Sequence, residues 1–411
     1  MLLRAKYVIP EAGKVIENGY VSIGGHTIKS VSHIKSLGRV YDLGNAVLIP
    51  GLINPHAHLE GPELYGGIKP QGAPRLKPPQ SFTEWAQKVI KTRKLLTIDF
   101  MNKTVAHGYK VCIQNGITTV GDHTHLLRVA QAQLKAPIRR FVFEEIFNLD
   151  PVSANVTAKD AKFICRSVRQ SPLFNVGFAP HSPYSVSGPL YQKLFSMARS
   201  HGCIMSTHLS ELKEEVAFTK NGNGKMVGYL KKIARYYDTW EPPFCTPVEY
   251  MDKLGTLSPP AFFVHCNYLT PNDIRLLAKS GVSVVFCPNS HRYFGHRNHP
   301  FRKLLKAGIN VSLGTDGLGS NADLHILKEM KYVAENYNGL SYFQIFKMGT
   351  INGARTLNIH KKVGVLKPGY QADIAGFSIR GNIKPKELLP YLIHTAPHSI
   401  LTMVAGKILK P

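Results

Sequence analysis

Two histidines one residue apart stand at the end of an apolar run, and this pattern constrains the fold more than any other. The run covers residues 48–54, and His56 and His58 follow Pro55. A short apolar run predicts a buried strand, and side chains two positions apart in a strand lie on one face. Both imidazoles can therefore reach one metal ion, and histidine nitrogen is a favoured ligand of zinc and iron(II). A packed or surface pair of histidines is the alternative.

Apolar runs of strand length recur along the middle of the chain, with intervals long enough for helices. The predicted strands are 48–56, 117–123, 140–147, 175–181, 203–208, 261–265, 282–287 and 310–315. Eight strand–helix units predict an α/β fold, a (β/α)8 TIM barrel. Short strands with turn signals flank this region on both sides and are expected to pair into a small β-sandwich domain. The predicted domains are 1–50 and 359–411, which form the small domain in two parts, and 51–358, which forms the barrel.

Four of these strands end in a residue that can bind a metal or move a proton. Besides His56 and His58, the strand ends carry His208, followed by Glu211, then His265 and Asp316. Buried polar groups are rare in barrel strands unless they are satisfied, and active sites of TIM barrels lie at the carboxyl ends of the strands. The combination indicates one catalytic centre. For single residues a structural role stays open: a core histidine at 265, a helix-terminal carboxylate at 211, a cap at 316.

The composition narrows the classes of partner. The chain has 51 Lys and Arg against 26 Asp and Glu, a net charge of +25, which raises nucleic-acid or membrane binding as an alternative. The basic residues are spread without a dense run, so we expect mainly a basic surface, with no nucleic acid and no membrane. A small-molecule substrate is expected, and a minor share of the charge serving an anionic substrate is the alternative to a purely surface role. No stretch of about 18 apolar residues appears, and the first residues do not look like a secretory signal, so a cytoplasmic location is expected. The six cysteines form no C-x-x-C pair and predict free thiols.

Two segments lack a strand pattern. Residues 59–83 form a long loop with several Gly and Pro after the first barrel strand, and residues 209–260 form an excursion after the fifth. Long loops in compact domains are usually functional lids or disordered, and the first is predicted to be a lid over the active-site mouth.

The strand-end motifs together resemble the amidohydrolase superfamily, in its deaminase and chlorohydrolase-like branch. The matching stretches are 50–58, 207–211, 264–266, 287–290 and 314–316, with 364–373 in the flanking domain. The resemblance implies one divalent metal, zinc or alternatively iron, with His56, His58, His208 and Asp316 as ligands. It implies that Glu211, His265 and Asp316 are catalytic, and it favours homo-oligomers. The fourth strand has no lysine that could be carboxylated to bridge two metals, which favours a mononuclear site.

The substrate predictions rest on the same resemblance. His181 and Trp85 match substrate-contacting positions of nucleoside deaminases, and His291 lies in a stretch similar to aminodeoxyfutalosine deaminases. A turn residue and a core aromatic are the alternatives for His181 and Trp85. Adenosine-type members carry a glutamate nine residues after the tryptophan, where this chain has Lys94. Either ribose recognition differs, or the substrate is not an ordinary nucleoside. Four basic residues could pair with a substrate carboxylate or be ordinary surface charges: Lys69, Arg75, Lys77 and Arg292.

The predicted function is therefore metal-dependent hydrolytic deamination of an aminopurine nucleoside-like substrate, with aminodeoxyfutalosine of menaquinone biosynthesis as the specific candidate. Another aromatic-heterocycle amidohydrolase or a chlorohydrolase of triazine, cytosine or guanine type is the alternative within the enzyme class. A catalytically silent barrel used for assembly, and a nucleic-acid-binding protein, are the alternatives outside it.

Overall fold

The computed structural model describes residues 1–35, 38–60 and 81–409. Within these ranges the chain forms seventeen strands, β1 to β17 in chain order: Leu2–Glu11, Lys14–Gly24, Thr27–Ser32, Val40–Asp42, Ala46–Pro50, Leu52–His58, Ile117–Thr124, Arg139–Ile146, Phe174–Pro180, Met205–Leu209, Ala261–His265, Ser283–Phe286, Asn310–Leu313, Asp316–Gly317, Ile374–Ser378, Leu401–Val404 and Lys407–Leu409.

The same ranges form fifteen α-helices, α1 to α15: Phe82–Arg93, Ile98–Gln114, Ala130–Lys135, Ala154–Arg166, Gly188–His201, Lys213–Asn221, Lys225–Lys232, Pro247–Lys253, Pro271–Ser280, Pro288–Tyr293, Phe301–Lys306, Ile326–Asn336, Tyr342–Met348, Ile351–Thr356 and Leu388–Thr395. None of the helices described is long and apolar enough to cross a lipid bilayer. All six cysteines are free thiols, as predicted.

Nine of the described strands form one parallel sheet, which closes into a barrel through its last, interrupted strand. The strand order is β13-β12-β11-β10-β9-β8-β7-β6-β14, and every pair in it is parallel. Gly314 and Thr315 separate β13 from β14: Gly314 N donates to Phe286 O of β12 at 2.9 Å, and Thr315 N donates to His56 O of β6 at 3.1 Å. One interrupted strand thus bridges the last and first strands, which confirms the predicted (β/α)8 barrel.

Local signals explain where a barrel helix begins and ends, as α9 shows. Thr270 and Asp273 form a reciprocal capping box, in which Asp273 N donates to Thr270 Oγ1 at 3.1 Å and Thr270 N donates to Asp273 Oδ2 at 2.7 Å. Pro271 occupies the first turn, where its missing N–H is harmless. Gly281 ends the helix at φ +73°, a left-handed conformation that glycine adopts without strain. The next strand, β12, follows directly.

The predicted first strand, 48–56, is in fact two strands in different sheets. β5 pairs with β1 and β15 of the small sheet, whereas β6 pairs with β7 of the barrel. Gly51 lies between them, and a Cβ at this position would overlap the side chain of Thr118. Both halves are buried in apolar surroundings, so the hydrophobic pattern alone does not reveal the change of sheet.

The ends of the chain pair into one small domain, as predicted. Its eight-stranded sheet has the order β17-β16-β15-β5-β1-β2-β3, with β4 paired to β1. Its core is a separate cluster of buried aliphatic side chains, which includes Leu3, Val21, Leu48, Ile374 and Met403. The domain was expected to be a sandwich, and its described strands belong to a single sheet.

Helices after the first and fifth barrel strands pack together beside the strand ends. Side chains of α1, α6 and α7 share a buried cluster: Ala86, Phe218, Met226, Tyr229 and Leu230. The loop predicted to extend to residue 83 ends earlier, because Ser81 caps α1 by accepting from Glu84 N at 3.3 Å. Residues 61–80 of the predicted lid, with Lys69, Arg75 and Lys77, lie outside the described residues.

Candidate active site

The carboxyl ends of four barrel strands bring five predicted residues to one point. His56 and His58 come from β6, His208 from β10, His265 from β11 and Asp316 from β14. Ligand atoms of His56, His58 and His208 lie within 4.8 Å of one another, and so do those of His56, His265 and Asp316. Asp316 Oδ1 lies 3.4 Å from His56 Nε2 and 3.5 Å from His58 Nε2.

The unsatisfied atoms of this cluster fit a divalent metal. Both ring nitrogens of His56 and Nδ1 of His58 are buried without a hydrogen-bond partner among the described residues. His208 Nδ1 pairs with the carbonyl oxygen of His181 at 2.9 Å, which leaves its Nε2 as the free ligand atom. Buried polar atoms without partners cost free energy, and imidazole nitrogens combined with one carboxylate oxygen form a donor set suited to zinc or iron(II).

Asp316 is held so that one oxygen faces the histidines. Its Oδ2 accepts from Ser290 Oγ and from Ser320 Oγ, both at 2.7 Å. Burial by itself would raise the pKa of Asp316, but the neighbouring His56 and His58 hold it well below its ordinary value, so the carboxyl group is ionised. Its backbone has a φ of 59°, and that of His265 has a φ of 70°. Such strained conformations are typical of functional sites.

Glu211 and His265 face each other next to the cluster. His265 Nε2 lies 3.6 Å from Glu211 Oε1. Burial, with the nearby charge of Asp316, raises the pKa of Glu211 well above its ordinary value. Burial lowers the pKa of His265 well below its ordinary value, so this ring is neutral near pH 7. A protonated carboxyl beside a neutral imidazole is suited to general acid–base chemistry.

Glu215 holds the turn that carries Glu211, and the sequence analysis did not identify it. Its two carboxylate oxygens accept from Ser210 N at 2.9 Å and from Glu211 N at 2.8 Å. Burial raises the pKa of Glu215 to about 7, although these hydrogen bonds oppose the shift. The motif that could have indicated it is a second glutamate four residues after Glu211, which alone is not distinctive.

A cavity of about 550 Å³ opens above the cluster, and two of the three predicted substrate residues line it. The His181 ring lies 4.3 Å from the Phe147 ring, centroid to centroid, and its Nδ1 bonds to Ser185 Oγ at 2.9 Å. Trp85 Nε1 donates to the carbonyl oxygen of Gly319 at 3.1 Å. The third residue is not brought there.

His291 lies away from the cavity. It is buried on α10, where its ring packs 5.7 Å from Phe286 and 5.5 Å from His299. Arg292 is exposed, with its guanidinium carbon 5.3 Å from the centre of the Tyr332 ring, and it does not line the cavity. Residues 288–293 of this stretch form the short helix α10, and the similarity of the stretch to deaminases does not place these two side chains at the cavity wall.

Two cavity residues were not identified from the sequence, and one of them, His125, lies in a pattern that repeats that of His56 and His58. The second barrel strand ends in His123-Thr124-His125, again two histidines one residue apart, and His125 lines the cavity. Glu145, at the end of the third strand, also lines it, and its Oε1 lies 3.8 Å from His58 Nδ1. The position of these residues at strand ends was the available signal.

Comparisons with known proteins agree with this geometry. The model of the amidohydrolase family matches residues 47–409. A relative, the 5-methylthioadenosine/S-adenosylhomocysteine deaminase of Pyrococcus furiosus, is 29% identical over 391 residues, which cover 91% of this chain and 84% of the relative.

Two solved structures share the fold. The Helicobacter pylori aminofutalosine deaminase in complex with methylthio-coformycin superposes with a TM-score of 0.85 at 19% identity, over 99% of both chains. An adenosine deaminase from Xanthomonas campestris with bound zinc superposes with a TM-score of 0.82 at 23% identity, over 100% of this chain and 92% of the other. With the family match over most of the chain, these findings establish that this protein belongs to the amidohydrolase family and is a hydrolase that acts on carbon–nitrogen bonds.

Proposed function

We propose that the protein is a metal-dependent deaminase that releases ammonia from an aminopurine nucleoside-like substrate, with aminodeoxyfutalosine as the specific candidate. The observation that carries the proposal is the contact of Glu211 Oε1 with His265 Nε2, 3.6 Å apart, beside the histidine–aspartate cluster. The relative from Pyrococcus furiosus is named for two adenosine-containing compounds, and the Helicobacter pylori structure is named for aminofutalosine. Both names support an aminopurine substrate.

The proposed metal ligands are His56, His58, His208 and Asp316, with zinc preferred and iron as the alternative. When bound, the metal supplies Lewis acidity, which makes a water molecule nucleophilic near neutral pH. The free nitrogens of the histidines and Oδ1 of Asp316 provide the donor set. Because the fourth barrel strand, Phe174–Pro180, carries no lysine, one metal per chain is proposed.

The protein's own residues move the protons. Water adds to the ring carbon that bears the amino group, and Asp316 accepts a proton from that water. Glu211 gives its proton to the adjacent ring nitrogen, takes up the second proton of the attacking water, and passes it to the amino group, which leaves as ammonia. The proton held by Asp316 then returns to Glu211, which restores both carboxyl groups for the next turnover. His265 donates a hydrogen bond to the attacking oxygen and holds it in place.

The cavity wall binds and orients the ring. Trp85 lies near Phe82 and Phe294, with ring centroids 5.5 and 5.1 Å apart, and these aromatic side chains form an apolar face at the cavity. A purine can stack against such a face. His181, whose Nδ1 is engaged by serine hydroxyls, is proposed to present Nε2 to the substrate.

Ammonia release from a panel of aminopurine nucleosides, including aminodeoxyfutalosine, tests the proposal. We expect release by the metal-loaded protein and a loss of at least a hundredfold in kcat for Glu211→Gln, the size typical of a lost general acid. Metal content should not change. Glu241→Gln is the matched control, because Glu241 is exposed and does not line the cavity.

Full activity in Glu211→Gln would disprove the proton-transfer role. No ammonia from any aminopurine, with chloride release from a chloro-substituted ring, would instead support the chlorohydrolase alternative. Homo-oligomer formation and a cytoplasmic location stay predictions, and light scattering and cell fractionation test them.

A further inference from the structure

One side of the cavity is basic, and the chemistry proposed above does not use it. Four cationic residues line the cavity: Arg93, Lys94, Arg128 and Arg235. We call these four residues the basic flank. Arg93 and Lys94 end α1, Arg128 follows β7, and Arg235 follows α7. Three segments of the chain thus contribute to one wall.

Charges of opposite sign are separated along the cavity. The cavity-lining carboxylates among the described residues are Glu145, Glu211 and Asp316. Each lies within 4 Å of a histidine of the central cluster: Glu145 by His58, Glu211 by His265 and Asp316 by His56. Arg93 lies by Glu60, whose carboxylate is within 4.8 Å of that of Glu145, whereas Lys94, Arg128 and Arg235 line the cavity without a described carboxylate within 4 Å. The excess of Lys and Arg in the whole chain explains the presence of cations there, but it does not explain this separation.

Arg235, on the basic flank, lies beyond the residues proposed to touch the ring. The guanidinium carbon of Arg235 is 6.0 Å from the centre of the Phe147 ring, the Phe147 ring is 4.3 Å from that of His181, and His181 is 4.8 Å from His208. Arg235 is thus separated from the nearest proposed metal ligand by two rings, those of Phe147 and His181. This spacing leaves room for a nucleoside base and sugar between the reacting centre and the guanidinium.

Three of the four cations have no counter-ion among the described residues. Arg93 lies 3.6 Å from the carboxylate of Glu60, whereas Lys94, Arg128 and Arg235 form no ion pair within the described ranges. Arg128 is half-buried, so its charge is less screened than that of a surface side chain. Uncompensated cations along a cavity attract an anionic ligand and can bind its oxygens by charge-assisted hydrogen bonds.

We propose that the basic flank binds an anionic group of the substrate, a carboxylate or a phosphate, at the end remote from the amino group that is released. This inference rests on the proposed function, since it assumes that the ring lies at the histidine cluster. It narrows the substrate class to anionic aminopurine nucleoside-like compounds. Lys94 lies on this flank in the place where adenosine-type deaminases are expected to hold a ribose-binding glutamate.

The test compares substrates that share a base and differ in charge. We would measure kcat/KM for 5′-deoxyadenosine, for the 5′-carboxylic acid of adenosine and for adenosine 5′-monophosphate, with the wild type and with Arg128→Gln, Arg235→Gln and the double variant. Each lost charge-assisted hydrogen bond should reduce the ratio of anionic to neutral kcat/KM about tenfold or more, mainly through KM. Preference for the carboxylic acid or the monophosphate identifies the anion.

Arg199→Gln is the matched control, because Arg199 is exposed in the last turn of α5 and does not line the cavity. Binding of the same three compounds to metal-loaded Glu211→Gln, measured by calorimetry, gives a readout that does not need turnover. Two results would overturn the inference and leave the deaminase proposal intact. One is a kcat/KM for the neutral nucleoside equal to or above that for the anionic compounds. The other is an equal loss of kcat/KM for all three compounds in the double variant. Absence of ammonia with selective binding of an anion would contradict the deaminase proposal alone.

Discussion

At the scale of single residues, Glu215 shows how a group that does not touch the reacting atoms can control one that does. Its carboxylate accepts the N–H groups of Ser210 and Glu211 at once. Ser210 has a φ of 49°, a conformation that needs support from its surroundings. The direction of the Glu211 side chain therefore depends on a carboxylate four residues away.

We predict that Glu215→Gln lowers kcat more than it changes KM, with metal content preserved. A glutamine has a single acceptor oxygen, so one charge-assisted hydrogen bond worth about 1.5–3 kcal/mol is lost and the turn loosens. Steady-state ammonia release and metal analysis check this. Glu214→Gln, one position earlier on α6, is the control. A kcat equal to that of the wild type would rule out a positioning role.

A second residue-scale prediction concerns stability against pH. Burial raises the pKa of Glu144 above its ordinary value, to about 8, although its hydrogen bond from Leu126 N opposes the shift. The folded chain then holds this proton more tightly than the unfolded chain. Ionisation of Glu144 therefore removes stability as the pH rises from the unfolded to the folded pKa.

We expect the thermal unfolding midpoint to fall less for Glu144→Gln than for the wild type as the pH rises from 5 to 8. Differential scanning calorimetry across this range measures the effect, with exposed Glu17→Gln as the control. Parallel pH profiles of the wild type and Glu144→Gln would show that Glu144 does not titrate in this way.

Single site residues could be predicted where their position along a strand was sufficient to place their side chains. The alternation of side chains in a strand placed His56 and His58 together, and the strand-end rule added His208, His265 and Asp316. Glu215 could not be predicted, because its role depends on how the chain turns after β10. His291 lies away from the cavity because the short helix α10 directs it into the core, and resemblance in sequence does not fix that direction.

At the scale of elements, the break between β13 and β14 joins the strands that carry the proposed ligands. The side-chain nitrogen of Asn54, Nδ2, donates to Thr315 Oγ1 at 2.7 Å, and the backbone N of Thr315 donates to Asn54 Oδ1 at 3.2 Å. Asn54 is fully buried two residues before His56, and Thr315 directly precedes Asp316. This reciprocal contact fixes β6 against β14.

We predict that Asn54→Ala lowers the free energy of unfolding by about 1–3 kcal/mol, because Thr315 is left with unsatisfied buried groups. The metal should also be retained less firmly, since the two ligand-bearing strands are no longer fixed to each other. Urea unfolding and dialysis against a chelator measure the two effects. Asn336→Ala, an exposed asparagine on α12, is the control. Unchanged stability and metal retention in Asn54→Ala would contradict this account.

The elements were largely predictable from hydrophobic periodicity, because barrel strands are buried on both faces and form continuous apolar runs. The change of sheet at Gly51 was not, since it depends on the lack of space beside Thr118. The start of α1 at Phe82 was also missed, although Ser81 is a typical helix cap.

At the scale of the whole molecule, a buried ion pair ties the barrel to the small domain. Arg139 at the start of β8 donates to both carboxylate oxygens of Asp373, at 2.9 and 3.0 Å. Asp373 also accepts from Ala405 N at 2.8 Å, and its carbonyl oxygen accepts from Gly51 N. Contacts of Asp373 thus connect the first barrel strands with the C-terminal strands.

We predict that Asp373→Asn lowers the free energy of unfolding by about 3–5 kcal/mol, since it leaves a buried guanidinium without its counter-charge. Asp42→Asn at the exposed Arg4–Asp42 pair is the control and should cost about 0–1 kcal/mol. Urea unfolding of both variants measures the two losses in the free energy of unfolding. Equal losses would show that burial of the pair does not matter.

The barrel and the pairing of the chain ends were predictable because strand and helix lengths alternate along the chain. The domain boundaries at 50 and 358 stay predictions, and limited proteolysis can test them. The basic flank could not be predicted, because its four cations come from segments that only the folded barrel brings together.

Metal dependence of deamination tests the central claim most directly. Metal-free protein would be titrated with Zn²⁺ or Fe²⁺ while ammonia release from an aminopurine nucleoside and the bound metal are measured together. We predict that release rises in proportion to bound metal and saturates near one metal per chain. Full ammonia release by metal-free protein, or metal binding without any effect on release, would contradict the assignment.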